Sequence, residues 1–161
     1  MIEEPRMQIP QIAPDAMRHL MALDGLISKK VDHRIAHLLK VRASQINGCA
    51  FCIAMHTEAA LKDGEPTERL TSLPAWRESP LYSERERAAL TWLDEVTLIA
   101  THHASREAYE GLARHFSKEE IAWLTLLAAM INSFNRLAIA SRLQYNSATV
   151  EAAKRLVAEL S

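Results

Sequence analysis

Hydrophobic and polar residues alternate along this chain with the spacing of α-helices. After Asp32, apolar residues such as Ile35 and Leu39 recur at intervals of three and four positions, which places them on one face of a helix. An aspartate directly before such a segment is a common N-cap, and the pair Asn47-Gly48 is typical of a helix end. The pattern therefore predicts a helix that begins after Asp32 and ends before that pair.

Similar patterns along the rest of the chain predict an all-α protein of about seven or eight helices. Only four glycines and six prolines occur, and alanine and leucine are abundant, a composition that favours helix. Ser83 and Ser117 are each followed three residues later by glutamate, the signature of a capping box. No convincing strand pattern is present. Helices are predicted at about 14–28, 33–46, 49–63, 84–100, 106–115, from Ser117 to about 143, and at 148–160, with residues 1–13 extended and a short helix within 65–82.

Length and charge narrow the class of protein. We expect the 161 residues to form one domain, whose central part covers about 32–100. A chain of this length buries roughly 70% of its unfolded surface, so it needs no metal or disulfide to fold. The net charge of −1 argues against a nucleic-acid binder. No apolar run reaches the roughly 18 residues of a membrane span, and the first residues do not resemble a signal peptide, so we expect a cytoplasmic protein.

Polar residues interrupt the longest apolar segment of the sequence. Asn132, Asn135 and Arg136 occur within the segment that follows Ser117, where most side chains are expected to be buried. Buried polar groups need hydrogen-bond partners. We therefore expect these residues to connect neighbouring helices or subunits.

The candidate chemistry lies in the stretch "NGCAFCIAMH", which contains both cysteines of the chain. On a helix, Cys49, Cys52 and His56 lie within about 60° of one another on one face. The first turn of a helix favours a thiolate, and such surroundings lower a cysteine pKa from about 8.5 to between 3.5 and 7.5. An imidazole one turn beyond Cys52 is suited to accept a thiol proton. Two neighbouring thiols, one of them activated, are what formation and resolution of a sulfenic acid require.

Two other interpretations of this cluster remain open from the residues alone. The cysteines and the histidine can be ordinary core residues. They can also bind zinc, with Cys49, Cys52 and His56 as three ligands and His37 or His33 as the fourth. Zinc-binding C-x-x-C pairs usually lie in tight turns, whereas this pair begins a predicted helix. A thioredoxin-type motif lies near a strand–helix–strand unit, and this chain shows no such unit.

The run "RASQINGCAFCIAMH", within a longer match from about Leu38 to Thr97, resembles the alkylhydroperoxidase D (AhpD-like) family of the carboxymuconolactone decarboxylase superfamily. The later run "FSKEEIAWLTLLAAMINSFNRLAIA" resembles the C-terminal half of that family. The resemblance implies one AhpD-like, all-helical domain and a homo-oligomer, commonly a trimer or hexamer. It also implies peroxidase or disulfide-reductase chemistry that uses thiols, without haem or metal.

The resemblance implies a role for each motif residue. Cys52 would attack a hydroperoxide, Cys49 would resolve the sulfenic acid to a disulfide, and His56 would belong to a proton relay. The expected partners are an alkyl or hydrogen peroxide and a dithiol reductant, such as a dihydrolipoyl protein, with no nucleic acid and no membrane. A redox sensor without turnover and a zinc-stabilised structural protein are the alternatives.

This chain departs from the family pattern at two positions. The relay normally includes a glutamate twelve residues before the first motif cysteine, where this chain has His37. A second histidine normally precedes the second cysteine, where this chain has Phe51. His37 can still accept a proton but brings no negative charge. We include His37 with Cys49, Cys52 and His56 among the candidate catalytic residues, and expect weaker or differently pH-tuned thiol activation than in the family.

We predict that His37→Glu changes the pH–rate profile of peroxide reduction. A carboxylate beside His56 favours the imidazolium form and raises the pKa of His56, whereas a second imidazole disfavours double protonation of the pair. The two profiles should be measured under the same conditions with the same hydroperoxide. Identical profiles for the variant and the original chain would contradict this prediction.

Overall fold

A computed structural model of the chain describes residues 4–146, 149–151 and 155. The described part contains nine α-helices with both ends described, one 3₁₀ turn and no strand, so the prediction of an all-α fold is confirmed. Of the helix predicted at 148–160, residues 149–151 and 155 are helical and the others lie outside the described residues. The helices are α1 (Ile9–Ile12), α2 (Pro14–Ser28), α3 (His33–Asn47), α4 (Ala50–Lys62), α5 (Thr67–Ser72), α6 (Glu84–Thr97), α7 (Ile99–His102), α8 (Arg106–Ala113) and α9 (Lys118–Ser141), with the 3₁₀ turn at Leu73–Ala75.

Two short helices account for the difference from the predicted count. Residues 1–13 were expected to be extended, but α1 forms there with Pro10 in its first turn, a position in which the fixed φ of proline suits a helix. The helix predicted to reach about residue 100 stops at Thr97, and α7 follows after Leu98, whose backbone is not helical (φ −100°, ψ 37°). Helices of four residues are too short to show a periodic pattern of apolar positions.

The ends of the longer helices are set by the residues that the sequence indicated. The Asp32 carboxylate accepts hydrogen bonds from the amides of Arg34 and Ile35 at 3.0 and 3.1 Å, and so caps α3. Gly48 ends α3 in the left-handed conformation with φ +70°, which glycine adopts without steric cost. Capping boxes at Ser83 and Ser117 begin α6 and α9. These predicted boundaries are confirmed.

The central helix of the fold is α3, which packs against α4, α6 and α9. Its apolar face is fully buried, with Leu38 and Leu39 against residues such as Leu90 of α6 and Leu127 of α9. Burial of side chains of this size stabilises the fold by about 1.5–3 kcal/mol each. The next helix, α4, which begins within "NGCAFCIAMH", therefore packs against a helix that is itself firmly held in the core.

The longest helix, α9, has the length and mean hydropathy of a membrane span, although no uninterrupted apolar run of the sequence indicated one. Half of its most apolar window is buried inside the fold. A core helix of a globular protein meets the same test of length and composition. The polar interruptions Asn132, Asn135 and Arg136 explain why the sequence shows no continuous run.

A buried amide network joins α9 to the end of α3. The side-chain amide of Asn47 donates to the carbonyl oxygens of Asn132 and Asn135, both at 2.9 Å. Asn135 in turn donates to the Ser44 hydroxyl at 3.1 Å, and Asn132 donates to the Thr97 hydroxyl at 3.0 Å. These bonds confirm that Asn132 and Asn135 connect neighbouring helices, whereas the exposed Arg136 donates to Asn132 of its own helix.

A second buried polar centre lies at Asp94 of α6. Arg42 of α3 makes two hydrogen bonds to its carboxylate, at 2.9 and 3.1 Å. Arg77 donates at 2.8 Å and the indole of Trp76 at 3.3 Å. Because both oxygens of the buried carboxylate are satisfied, this centre fixes α3 against α6 and the 3₁₀ region.

We predict that Asn135→Ala lowers the free energy of unfolding by about 1–3 kcal/mol, because the buried Ser44 hydroxyl loses its donor and Asn47 loses one of its two acceptors. Denaturation in urea measures the change. The matched control is Ser133→Ala on the same helix, whose exposed hydroxyl donates only to the Ala129 carbonyl. Equal stability of the two variants would contradict a structural role for the amide network.

Candidate active site

The two cysteines lie at the start of α4, immediately after the turn at Gly48. Cys49 is the N-cap of α4, one position earlier than its predicted place in the first turn, and its Sγ accepts a hydrogen bond from the Cys52 amide at 3.3 Å. The Cα atoms of Cys49 and Cys52 are 5.3 Å apart and their sulfur atoms are joined in a disulfide. This Cα separation falls within the usual range for a disulfide.

The disulfide is enclosed by apolar side chains. Cys49 and Cys52 are only 2% and 3% exposed. An apolar surrounding raises a thiol pKa, whereas the unpaired amides of a helix start lower it. The cluster around the sulfurs comes from α4, the end of α9 and the chain after it: Phe51, Ala138 and Val150 are buried with them, and Met55 and Leu143 pack against them.

Phe51 occupies the position at which the family pattern has a second histidine. Its ring meets the ring of Tyr145 edge to face, with centroids 6.1 Å apart. The Tyr145 hydroxyl donates to Glu58 of α4 at 3.1 Å, and this bond is the main cause that raises the tyrosine pKa. Phe51 therefore packs the chain after α9 onto the cysteines and cannot carry protons.

His56 lies one turn beyond Cys52 on α4. Burial is the main cause that lowers the pKa of His56 to about 3, and the nearby charges of Lys40 and His37 contribute in the same direction. At neutral pH the ring is therefore uncharged, and it binds protons weakly while the cysteines are joined in the disulfide. No hydrogen bond joins it to another side chain in the described part of the protein. Reduction of the disulfide would place a thiolate nearby, and an opposite charge raises the pKa of an imidazole.

His37 has a carboxylate beside it, although its replacement of the family glutamate suggested that the site would lack a negative charge. Its Nε2 lies 2.7 Å from Oδ2 of Asp63, the residue that follows α4. The His37 bond lowers the pKa of Asp63, and the charges of His37 and His33 act in the same direction against desolvation. The rings of His33 and His37 meet edge to face at 6.4 Å. The structure thus brings two histidines and a carboxylate together beside α4.

Lys40 is the other charged group that influences His56. Its Nζ lies 3.1 and 3.2 Å from the two carboxylate oxygens of Asp24 and 3.1 Å from the Ser28 hydroxyl. These bonds hold the ammonium group between α2 and α3. Neither Lys40 nor Asp63 was identified from the sequence. An acidic residue at a helix C-terminus opposes the helix dipole, and that conflict was the available signal for Asp63.

The four residues of the zinc alternative are not arranged as a metal site. Among the residues that the structure describes, no group of three or more His, Cys, Asp or Glu side chains is placed to hold a metal ion. The sulfurs of Cys49 and Cys52 bond to each other, and Nε2 of His37 bonds to Asp63. The arrangement instead fits a dithiol that cycles with its disulfide beside a neutral imidazole.

Comparisons with known proteins place this fold and motif in one family. The profile of the Carboxymuconolactone decarboxylase family matches residues 14–95. The Bacillus subtilis protein YdfG is 38% identical over 136 residues, which cover 84% of this chain and 92% of YdfG.

Two solved structures extend the similarity to three dimensions. An Agrobacterium tumefaciens protein of unknown function, assigned provisionally to AhpD-type antioxidant defence, superposes with a TM-score of 0.86 at 42% identity, over 89% of this chain and 99% of that one. The debrominase Bmp8, in complex with 2,3,4-tribromopyrrole, superposes with a TM-score of 0.74 at 19% identity over 94% of this chain and 79% of that one, and shows the fold alone. From its family profile, its relatives and its fold, the chain belongs to the carboxymuconolactone decarboxylase family, as an AhpD-like member.

Proposed function

We propose that the protein is a cysteine-dependent peroxidase and dithiol–disulfide oxidoreductase that reduces alkyl or hydrogen peroxides. The observation that carries this proposal is the pairing of Cys49 with Cys52 at the start of α4, with His56 one turn further along. A helix start stabilises the thiolate that attacks. A neutral imidazole next to the thiol can take up its proton.

The proposed reaction has two steps in which the protein is oxidised. The Cys52 thiolate attacks one peroxide oxygen and the O–O bond breaks, which gives a sulfenic acid and releases an alcohol, or water from hydrogen peroxide, after protonation. The Cys49 thiolate then attacks the sulfenic sulfur, the disulfide forms and water leaves. Sulfur loses two electrons in all, and the peroxide gains them. In this scheme His56 accepts the Cys52 proton before the attack and returns it to the leaving oxygen.

A dithiol completes the cycle by exchange with the disulfide. One thiolate of the reductant forms a mixed disulfide, and its second thiol releases the reduced protein. A dihydrolipoyl protein is the class of reductant that we propose, in the cytoplasm. No bound metal or organic cofactor takes part in this scheme.

We also propose that the protein acts as a homo-oligomer, a trimer or hexamer. Leu126 and Ile139 of α9 are 43% and 45% exposed in the single chain. Apolar side chains of this size on a long helix are suited to an interface between subunits.

A redox sensor without turnover is the second candidate. The deep burial of Cys49 and Cys52 favours it, because a buried disulfide exchanges slowly with external thiols. Both functions require the same disulfide, so only the rate of reduction separates them. Sustained peroxide consumption with dihydrolipoamide would identify an enzyme, and a single oxidation without turnover would identify a sensor.

We predict that one equivalent of an organic hydroperoxide removes both free thiols of the reduced protein, and that dithiothreitol restores them. Thiols are counted on denatured samples before and after oxidation. Zinc is measured on the same preparation. Survival of both thiols would contradict the peroxidase proposal for that substrate, and one zinc ion per chain would support the structural alternative.

We predict different outcomes for the two cysteine variants. Cys49→Ser should still react with the hydroperoxide but stop at a sulfenic acid on Cys52, because the resolving thiol is absent. Cys52→Ser should lose the reaction, with a rate at least about 100-fold lower than the original chain, since the activated thiolate is removed. Trapping with dimedone and mass spectrometry locates the modified residue. A sulfenic acid on Cys49 in the Cys52→Ser chain would reverse the assigned roles.

A further inference from the structure

We propose that Asp63 is a positioning residue for thiol activation: it holds His37 in one orientation and supplies the negative charge beside it. The proposal rests on the proposed function in assigning Cys52 as the reactive thiol. The His37–Asp63 pair would thus stand where the family resemblance implies a single glutamate. In this chain the carboxylate therefore lies at the end of α4, not on α3.

The local backbone fixes Asp63 at the end of α4. Its amide donates to the Ala59 carbonyl at 3.1 Å, and it is the C-cap of the helix. Gly64 follows in the left-handed conformation with φ +84°, which turns the chain away from the helix axis. The amide of Gly64 donates to the Leu61 carbonyl at 3.1 Å. The side chain of Asp63 is therefore held beside α3 and meets His37 from a position 26 residues away in sequence.

A carboxylate at this position is not explained by helix stability. The C-terminal end of a helix carries a partial negative charge, so an acidic residue there is unfavourable by a few tenths of a kcal/mol to about 1 kcal/mol. The Asp63 side chain is 53% exposed, whereas the His37 side chain is 17% exposed. Water alone would satisfy the carboxylate. The carboxylate instead contacts the largely buried imidazole of His37, which indicates that the role of Asp63 is to position His37.

The bond to Asp63 determines the protonation pattern of His37. A carboxylate only accepts, so Nε2 of His37 is the donor and carries the proton. In the neutral ring the other nitrogen, Nδ1, is then an acceptor. A carboxylate behind a histidine orients the ring, as it does for histidines that bind metals.

The influence of His37 reaches the thiol through His56. His37 on α3 and His56 on α4 belong to two helices that pack directly against each other, and the charge of His37 acts in the same direction as burial in lowering the pKa of His56. Because the negative charge of Asp63 offsets positive charge on His37, Asp63 changes the electrostatic potential at His56. It therefore changes how strongly the His56 imidazole attracts the proton of the Cys52 thiol. The titratable and charged groups that face this pair are His33 and Lys40 of α3, Asp24 of α2 through Lys40, and His56 of α4.

The test measures thiol reactivity, which does not depend on peroxidase turnover. The reduced full-length protein carrying Cys49→Ser is alkylated with iodoacetamide between pH 5 and 10, and the rate at Cys52 is followed by mass spectrometry. Asp63→Asn should lower the rate at pH 7 by about three- to tenfold and move the midpoint to higher pH, since one pKa unit corresponds to a tenfold change in thiolate. Asp63→Glu should recover most of the rate. Glu68→Gln, which removes an exposed carboxylate on α5, should match the original chain.

A second background separates positioning from general destabilisation. His37→Glu places a carboxylate directly on α3, so Asp63→Asn should then change the rate less than twofold. An equal loss in both backgrounds would overturn the proposal, and so would a rate within twofold of the original in Asp63→Asn alone. If iodoacetamide reactivity depends on Asp63 while hydroperoxides leave the thiols intact, the positioning role stands and the peroxidase function fails.

Discussion

The sharp turn between α3 and α4 is the constraint on which the site depends. Gly48 adopts a left-handed conformation there, and the Cys49 amide donates to the Ser44 carbonyl at 3.0 Å, so α3 ends and α4 begins within two residues. Asn47, one position earlier, is tied to two asparagines of α9. The conformation of the turn is thus fixed by a backbone hydrogen bond after Gly48 and by the side-chain bonds of Asn47 to α9 before it. A side chain at Gly48 would be strained by its positive φ whatever space surrounds it.

This turn places the two helices so that their polar residues meet. His37 and Lys40 lie on α3, while His56 and Asp63 lie on α4, and the effects of the first two on His56 follow from the close packing of these helices. Burial is the largest influence on His56 and favours its neutral form. The carboxylates of Asp63 and Asp24 contact the two residues of α3 that influence His56, His37 and Lys40 respectively.

Local sequence signals predicted most of the fold and only part of the site. Caps such as Asp32, Ser83 and Ser117 act within three residues, so they are visible in sequence and their helices begin where expected. The pairing of Cys49 with Cys52 is local in the same sense. The contact of His37 with Asp63 joins positions 26 residues apart, and no periodic pattern relates them. The packing of Tyr145 onto Phe51 depends likewise on how α9 returns to α4.

The enclosure of the disulfide has a consequence for kinetics. Exchange at a disulfide requires the incoming sulfur to approach along the S–S axis, and side chains from α4 and from the chain after α9 surround both sulfurs. A reductant therefore reacts only while this packing is open. When opening is slower than exchange, the rate of reduction stops rising with reductant concentration and reports the opening rate itself. A small hydroperoxide needs a narrower opening than a protein-bound dithiol, so oxidation and reduction need not share the same limiting motion.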